Sequence, residues 1–264
     1  MLYSSTATAH ALHGQYPKAE SVEDFRRNLA QVRQRMALAC ERSGRDLSEV
    51  RLLPVSKTFA EADLRLAYAA GCDFLGENKV QEALRKAENL ADLADLKWSV
   101  IGHLQSNKAK YVARFASEFQ ALDKLNVAQQ LEKYLSNYQR RLDVFIQVNT
   151  SDEPNKYGLA PAQVLAFIEQ ISGFEHLHIK GLMTLAVFSK DAQRVRECFI
   201  RLRELQHQLR PLVPSGISID ELSMGMSGDF EIAIEEGATV VRVGQAIFGA
   251  RQLPDSHYWP EPNA

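Results

Sequence analysis

Between residues 51 and 243 the chain alternates short β-rich runs with amphipathic helical stretches, eight times over. The strand candidates are 51–55, 73–75, 98–101, 119–122, 143–148, 179–183, 219–222 and 239–243. Between them, apolar residues recur at three- and four-residue steps, the mark of one buried helix face. The clearest sets are Val80/Ala83/Leu84/Ala87/Leu90, Val127/Leu131/Tyr134/Leu135/Tyr138, Val164/Leu165/Ile168/Ile171 and Val195/Cys198/Phe199/Leu202/Leu205/Leu209. Gly71 and Gly237 each stand where a helix closes before the next strand. Strands separated by helices run parallel with the helices outside them, and eight such units over about 200 residues predict a single α/β domain, a (β/α)8 barrel of TIM type. An open doubly wound sheet shows the same alternation and is the alternative.

Before the first strand, Ser21 and Asp24 have the spacing of a helix N-terminal capping pair. Val22, Phe25, Leu29, Val32, Met36 and Ala39 follow on one face, and Gly44 is the stop. This extra N-terminal helix has no strand ahead of it and is expected to cover one end of the barrel. Residues 1–20 show no hydrophobic period and are expected to be a mobile extension, leaving 21–264 as the domain. They lack the basic start and apolar stretch of a secretory signal and the arginines of a transit peptide. Only about 20 residues follow the eighth strand, so no second β domain is expected.

With 31 basic and 33 acidic side chains the net charge is -2, which gives no electrostatic reason to expect nucleic acid or an anionic membrane as partner. No apolar run approaches the roughly 20 residues that cross a bilayer. Cys40, Cys72 and Cys198 have no metal-ligand spacing and read as small buried hydrophobes in a reducing compartment, so a cytoplasmic protein is expected.

In a barrel, the loops that follow the strands build the site. Here the first strand runs into Ser56-Lys57-Thr58, the second into Gly76-Glu77-Asn78-Lys79, and the third into Gly102-His103-Leu104-Gln105-Ser106-Asn107. Asn149 follows the fifth strand, Met183-Thr184 end the sixth, and Ser223-Met224-Gly225-Met226-Ser227 follow the seventh. The eighth holds Arg242 and runs into Gly244-Gln245. Lys57, directly after an apolar run, is either a desolvated amine fit for a Schiff base or a lysine whose head reaches solvent. The glycine- and serine-containing loops after strands seven and eight are where such barrels commonly hold phosphate, and they are equally plain turn and cap residues. Arg242 inside a barrel strand needs a partner, either a carboxylate or a ligand ring.

Other candidates carry less. No Ser or Cys nucleophile with a carboxylate partner accompanies His103, so a loop histidine making a backbone or ligand contact is preferred to a general base. His176 and His178 have no third ligand for a metal. The helices 194–210 and 108–114 are basic, and their charges read as solvated faces.

Six segments together resemble the pyridoxal phosphate homeostasis proteins, the proline synthase co-transcribed homologue family. They are Leu53-Pro-Val-Ser-Lys-Thr58, Phe74-Leu-Gly-Glu-Asn-Lys-Val80, Trp98-Ser-Val-Ile-Gly-His-Leu-Gln-Ser-Asn-Lys108, Ile179-Lys-Gly-Leu-Met-Thr184, Leu222-Ser-Met-Gly-Met-Ser-Gly-Asp229 and Val241-Arg-Val-Gly-Gln-Ala-Ile-Phe-Gly-Ala-Arg251. The likeness runs from about Ser21 to Arg251. It implies a lone barrel akin to the N-terminal domain of alanine racemase, with pyridoxal 5′-phosphate (PLP) as cofactor. It also implies a part in vitamin B6 and amino-acid balance without established turnover. Carried onto this chain, Lys57 is the Schiff-base lysine, Arg242 faces the pyridine nitrogen, and Ser223, Gly244 and Gln245 sit at the phosphate. Asn78, His103 and Met183 line the rest of the ring's surroundings. Gln245 departs from the threonine of many relatives, so the backbone N–H is expected to serve there while a hydroxyl contact to phosphate is lost or replaced by the amide.

An arginine at the pyridine nitrogen makes the ring a poorer electron sink. The resemblance therefore implies a carrier or regulator of the cofactor, expected to be a monomer, with apo-PLP enzymes or a regulatory protein as partners. The alternative is a fold-type III PLP enzyme, an amino-acid racemase or decarboxylase.

Overall fold

Ser21 Oγ accepts a hydrogen bond from the Asp24 backbone N–H, and the Asp24 carboxylate accepts one in return from Ser21 N–H. This capping box starts helix α1 (Val22–Ser43), and Gly44, at φ 67°, ends it in the left-handed conformation. The structure, a computed structural model, describes residues 16–153 and 156–250. Residues 1–15 of the expected extension lie outside the described residues. Ala19 is buried and its N–H donates to Phe248 O, while Tyr16 O accepts from Ala250 N–H.

The strands are β1 (Arg51–Pro54), β2 (Phe74–Glu77), β3 (Lys97–Val100), β4 (Glu118–Leu122), β5 (Leu142–Gln147), β6 (Leu177–Met183), β7 (Glu221–Ser223) and β8 (Val240–Val243). All neighbours pair in parallel, in the order β1-β8-β7-β6-β5-β4-β3-β2. A parallel bridge from Val55 to Gly76, reinforced by Ser56 N–H donating to Gly76 O at 3.0 Å, joins β1 to β2. That bridge nearly closes the barrel and removes the open-sheet alternative.

The remaining helices are α2 (Glu61–Ala69), α3 (Val80–Asn89), α4 (Ala109–Phe115), α5 (Leu125–Tyr138), α6 (Val164–Ile171), α7 (Ala192–Leu209), α8 (Phe230–Glu235) and α9 (Gln245–Phe248). Their apolar faces pack on the strands. Leu131, Leu135, Ile168, Phe199 and Leu202 are fully buried, as the three- and four-residue steps predict. Each of β1 to β7 is followed by a helix of at least six residues, but β8 leads only into the single turn of α9.

Helix α1 supplies what α9 is too short to cover. It packs against α8, α9 and α2, with ion pairs from Arg35 to Glu231 and Arg42 to Glu235 along its length. It therefore lies on the flank of the barrel, between the helices that follow β7 and β1, and not over an end as expected. The physical reason is that α9, one turn long, leaves the space between α8 and α2 without a full-length helix, and α1 fills it from the N-terminal side.

Candidate cofactor site

The turn that carries Lys57 is held from both sides by a buried ion cluster. Ser56 is fully buried, and its Oγ donates to Glu77 Oε1 at 2.6 Å. The Lys86 ammonium, fully buried on α3, donates to Ser56 O at 3.0 Å, to Glu77 Oε1 at 2.7 Å and to Glu82 Oε1 at 2.8 Å. Past the lysine, Thr58 N–H donates to the same Glu82 oxygen at 2.9 Å. Thr58 adopts φ 74°, a left-handed conformation that disfavours a β-branched residue by about 1–2 kcal/mol. The bond to Glu82 secures it. Lys57 itself is half-buried at this turn. Burial pushes the Glu77 carboxyl up, against the pull of Lys86.

Two strands further round, Gly102 lies hard against the backbone of Asn78, where a Cβ would stand 2.1 Å from Asn78 O. Only glycine allows β2 and β3 to exit side by side here. His103 follows, and its ring stacks on Tyr157 with centroids 4.0 Å apart and planes 11° from parallel. Among the described residues His103 Nδ1 is buried without a hydrogen-bond partner, and burial holds the imidazole pKa below its usual value, against the opposing pull of Asp123.

On the other side of the mouth, Met183 is fully buried and lies in register with Ser223. Ser223 Oγ accepts from Arg242 Nη1 at 2.5 Å and donates to Gln120 Oε1 at 2.6 Å. Arg242 Nη2 donates to Thr184 O at 2.8 Å. Both acceptors are uncharged. Burial lowers the Arg242 pKa to about 10, with Asp229 and Glu118 acting on it only through space, so the guanidinium stays charged at neutral pH. Of the two readings open for this arginine, the carboxylate ion pair does not form among the described residues.

Gly225 shapes the loop after β7. It adopts φ 94°, and a Cβ there would stand 2.6 Å from Ala233 Cβ. Its carbonyl accepts from Arg242 N–H, and the loop returns Ser227 Oγ to Gly244 N–H at 3.1 Å. The hydroxyl that meets Gly244 is thus that of Ser227, while Ser223 is committed to the barrel interior. Gly244 also lies against Val55 O, just ahead of the Lys57 turn. Gln245 opens α9 and is half-buried.

All eight expected site residues therefore stand at the ends where the strands exit, around one mouth. Lys57, Ser223, Arg242 and Gly244 come from the neighbouring β1, β8 and β7, with Met183 from β6 beside them. Asn78 leaves β2 and His103 leaves β3, which stands opposite β7 in the closed order. Sequence reasoning did not single out Gln120, Glu118, Lys86 or Tyr157. For Glu118 and Gln120 a signal existed, since two polar residues alternate inside an apolar strand. For Lys86, a lysine on a helix, no signal separates a buried ammonium from a solvated one.

Comparison with known proteins agrees with this geometry. The alanine racemase N-terminal domain model matches residues 21–252. A pyridoxal phosphate homeostasis protein of Pasteurella multocida is 41% identical over 85% of this chain and 96% of its own length. One from Pseudomonas aeruginosa is 42% identical over 85% of this chain and 94% of its own length. The chain belongs to the pyridoxal phosphate homeostasis protein family. Among solved structures it is similar to PipY of Synechococcus elongatus with PLP bound, at 35% identity and TM-score 0.75, covering 85% of this chain and 100% of that one. Alanine racemase from Corynebacterium glutamicum is 15% identical with TM-score 0.66 and is covered over 65% of its chain, a likeness of fold alone. Family members are thus spanned almost entirely by the barrel, whereas the racemase extends well beyond it.

Proposed function

We propose that this barrel, from residue 21 onward, binds PLP covalently at Lys57 and holds the cofactor in the cytoplasm without turning over a substrate. The observation that carries the reading is the pairing of β1 with β8, which sets Leu53 in register with the buried Arg242, so that the Lys57 turn and a guanidinium held by uncharged acceptors share one mouth. In this reading Lys57 would hold the cofactor through its amine, and the cofactor would supply the aldehyde with which that amine condenses, releasing water. Arg242 would be the partner of the ring nitrogen. Ser227 with the backbone N–H groups of Gly244 and Gln245 would hold the phosphate at the start of α9, and Met183, Asn78 and His103 would border the ring.

The residues present fit such a group. Among the described residues no carboxylate competes for the Arg242 donors, and His103 Nδ1 is a buried polar atom without a hydrogen-bond partner. The arginine also favours custody over catalysis, because it leaves the ring nitrogen largely unprotonated and the ring a weak electron sink. The family name shared by its relatives supports the same conclusion. Delivery to apo-PLP enzymes, or sensing by a regulatory protein, would use the open mouth of a monomer.

The visible absorption spectrum after addition of PLP tests this. A band above that of free cofactor, present in wild type and lost in Lys57→Ala, is expected, and D- or L-amino acids should leave it without forming product. The same band in Lys57→Ala would overturn the attachment, and product formation would restore the racemase or decarboxylase alternative.

A further inference from the structure

Arg242 is the last member of a hydrogen-bond chain that crosses the barrel interior. Ser223 Oγ accepts from Arg242 and donates to Gln120 Oε1. Gln120 Nε2 donates to Glu118 Oε1 at 2.6 Å, and that oxygen also accepts from Ser99 Oγ at 2.7 Å. The other Glu118 oxygen accepts from Arg51 Nη2 at 2.5 Å. Ser99, Glu118, Gln120, Ser223 and Arg242 are all buried.

The direction of every bond in this chain is forced. A guanidinium only donates and a carboxylate only accepts, so the two ends fix what lies between them. Glu118 requires the amide nitrogen of Gln120, which turns Gln120 Oε1 toward Ser223. Ser223 must then donate to Gln120, and its lone pair is left to receive Arg242. The Ser223 proton therefore points away from the arginine, and the guanidinium rests on an oxygen that cannot turn a proton against it.

Thr184 secures the second side in the same way. Its Oγ1 donates to Val148 O at 2.8 Å, so in its 2.9 Å bond with Thr150 Oγ1 it is the acceptor. The strand end that offers Thr184 O to Arg242 Nη2 is thereby fixed. Groups on β4, with no place at the mouth, thus govern the orientation of a side chain at the mouth.

We propose that Gln120 and Glu118 are positioning residues for Arg242, acting through Ser223, and that they tune how the guanidinium meets a bound cofactor ring. The proposal rests on the PLP reading given above. A buried hydrogen bond to a charged group lost from this chain weakens PLP about tenfold or more. Because Arg242 governs the electronics of the ring nitrogen, the bound cofactor's visible band should move as well.

The test compares PLP dissociation constants, visible spectra and unfolding midpoints for wild type, Gln120→Leu, Glu118→Gln and Ser99→Ala. Gln120→Leu removes the link, and Glu118→Gln lets the Gln120 amide adopt either orientation. Ser99→Ala deletes a bond to the same carboxylate without touching the link to Arg242. Weaker PLP binding and a displaced band in the first two, with a wild-type spectrum in Ser99→Ala, are expected. If Gln120→Leu does not fold, Glu118→Gln against Ser99→Ala gives the same comparison. Wild-type affinity and spectrum in both relay variants would overturn the proposal while leaving the PLP reading intact. A wild type lacking the Lys57-dependent band would remove the PLP reading, and the proposal with it.

Discussion

His103 sits where two demands meet, since it stacks on Tyr157 at the rim while its Nδ1 is buried without a partner. Burial holds its folded pKa below the usual 6.5, so the unfolded chain binds a proton over a range in which the folded chain does not. Stability from this residue is present above the unfolded pKa and is lost as pH falls through that value toward the lower folded one. Denaturant unfolding of wild type from about pH 7.5 to about pH 5.5 should show this loss, and His103→Gln should flatten that part of the slope. Equal slopes would mean that the imidazole stays solvated. At this scale Arg242 is legible in the sequence because a charge inside Val240-Val-Arg-Val243 is costly without a reason. Gln120 and Glu118 leave a fainter signal, two polar residues alternating in an apolar strand, and their partners are set by the strands across the barrel and so do not show in the sequence.

Secondary-structure elements were read with small errors in extent. The first strand was expected over 51–55 and ends at Pro54, and the sixth was expected from 179 and begins at Leu177. These are strand ends, where pairing with a neighbour and not local pattern decides the last bond. More consequential is the join of β1, β2 and α3 through Lys86, Glu77 and Glu82, which fixes the Lys57 turn and was invisible in the sequence. Replacing Lys86 by Met leaves the buried Glu77 carboxylate uncompensated and should destabilise the fold by about 3–5 kcal/mol. Lys86→Met with Glu77→Gln should recover part of that loss, because the unpaired charge is gone. Chemical denaturation of both variants tests this, and a double variant less stable than Lys86→Met would contradict it.

For the whole molecule, the alternation of strand and helix predicts parallel strands with the helices outside, and eight such units point to the barrel, while the choice against an open sheet needs the closing contact. The closing contact between Val55 and Gly76 and the flank position of α1 were beyond it, because both depend on which surfaces remain open after the other elements have packed. Among the described residues no helix is long and apolar enough to cross a membrane, and no cluster of His, Cys, Asp and Glu could hold a metal. Cys40, Cys72 and Cys198 are buried, and burial pushes the Cys72 thiol up to about 12. What the barrel offers is one mouth with an amine, a buried guanidinium and a glycine-bounded loop pair, in a chain whose relatives are pyridoxal phosphate homeostasis proteins. The most direct test is to incubate the protein with PLP, reduce it with borohydride and map the modified peptide by mass spectrometry. The account predicts a single stable adduct on Lys57, with Lys86 and the surface lysines unmodified. An adduct elsewhere, or none, would contradict it.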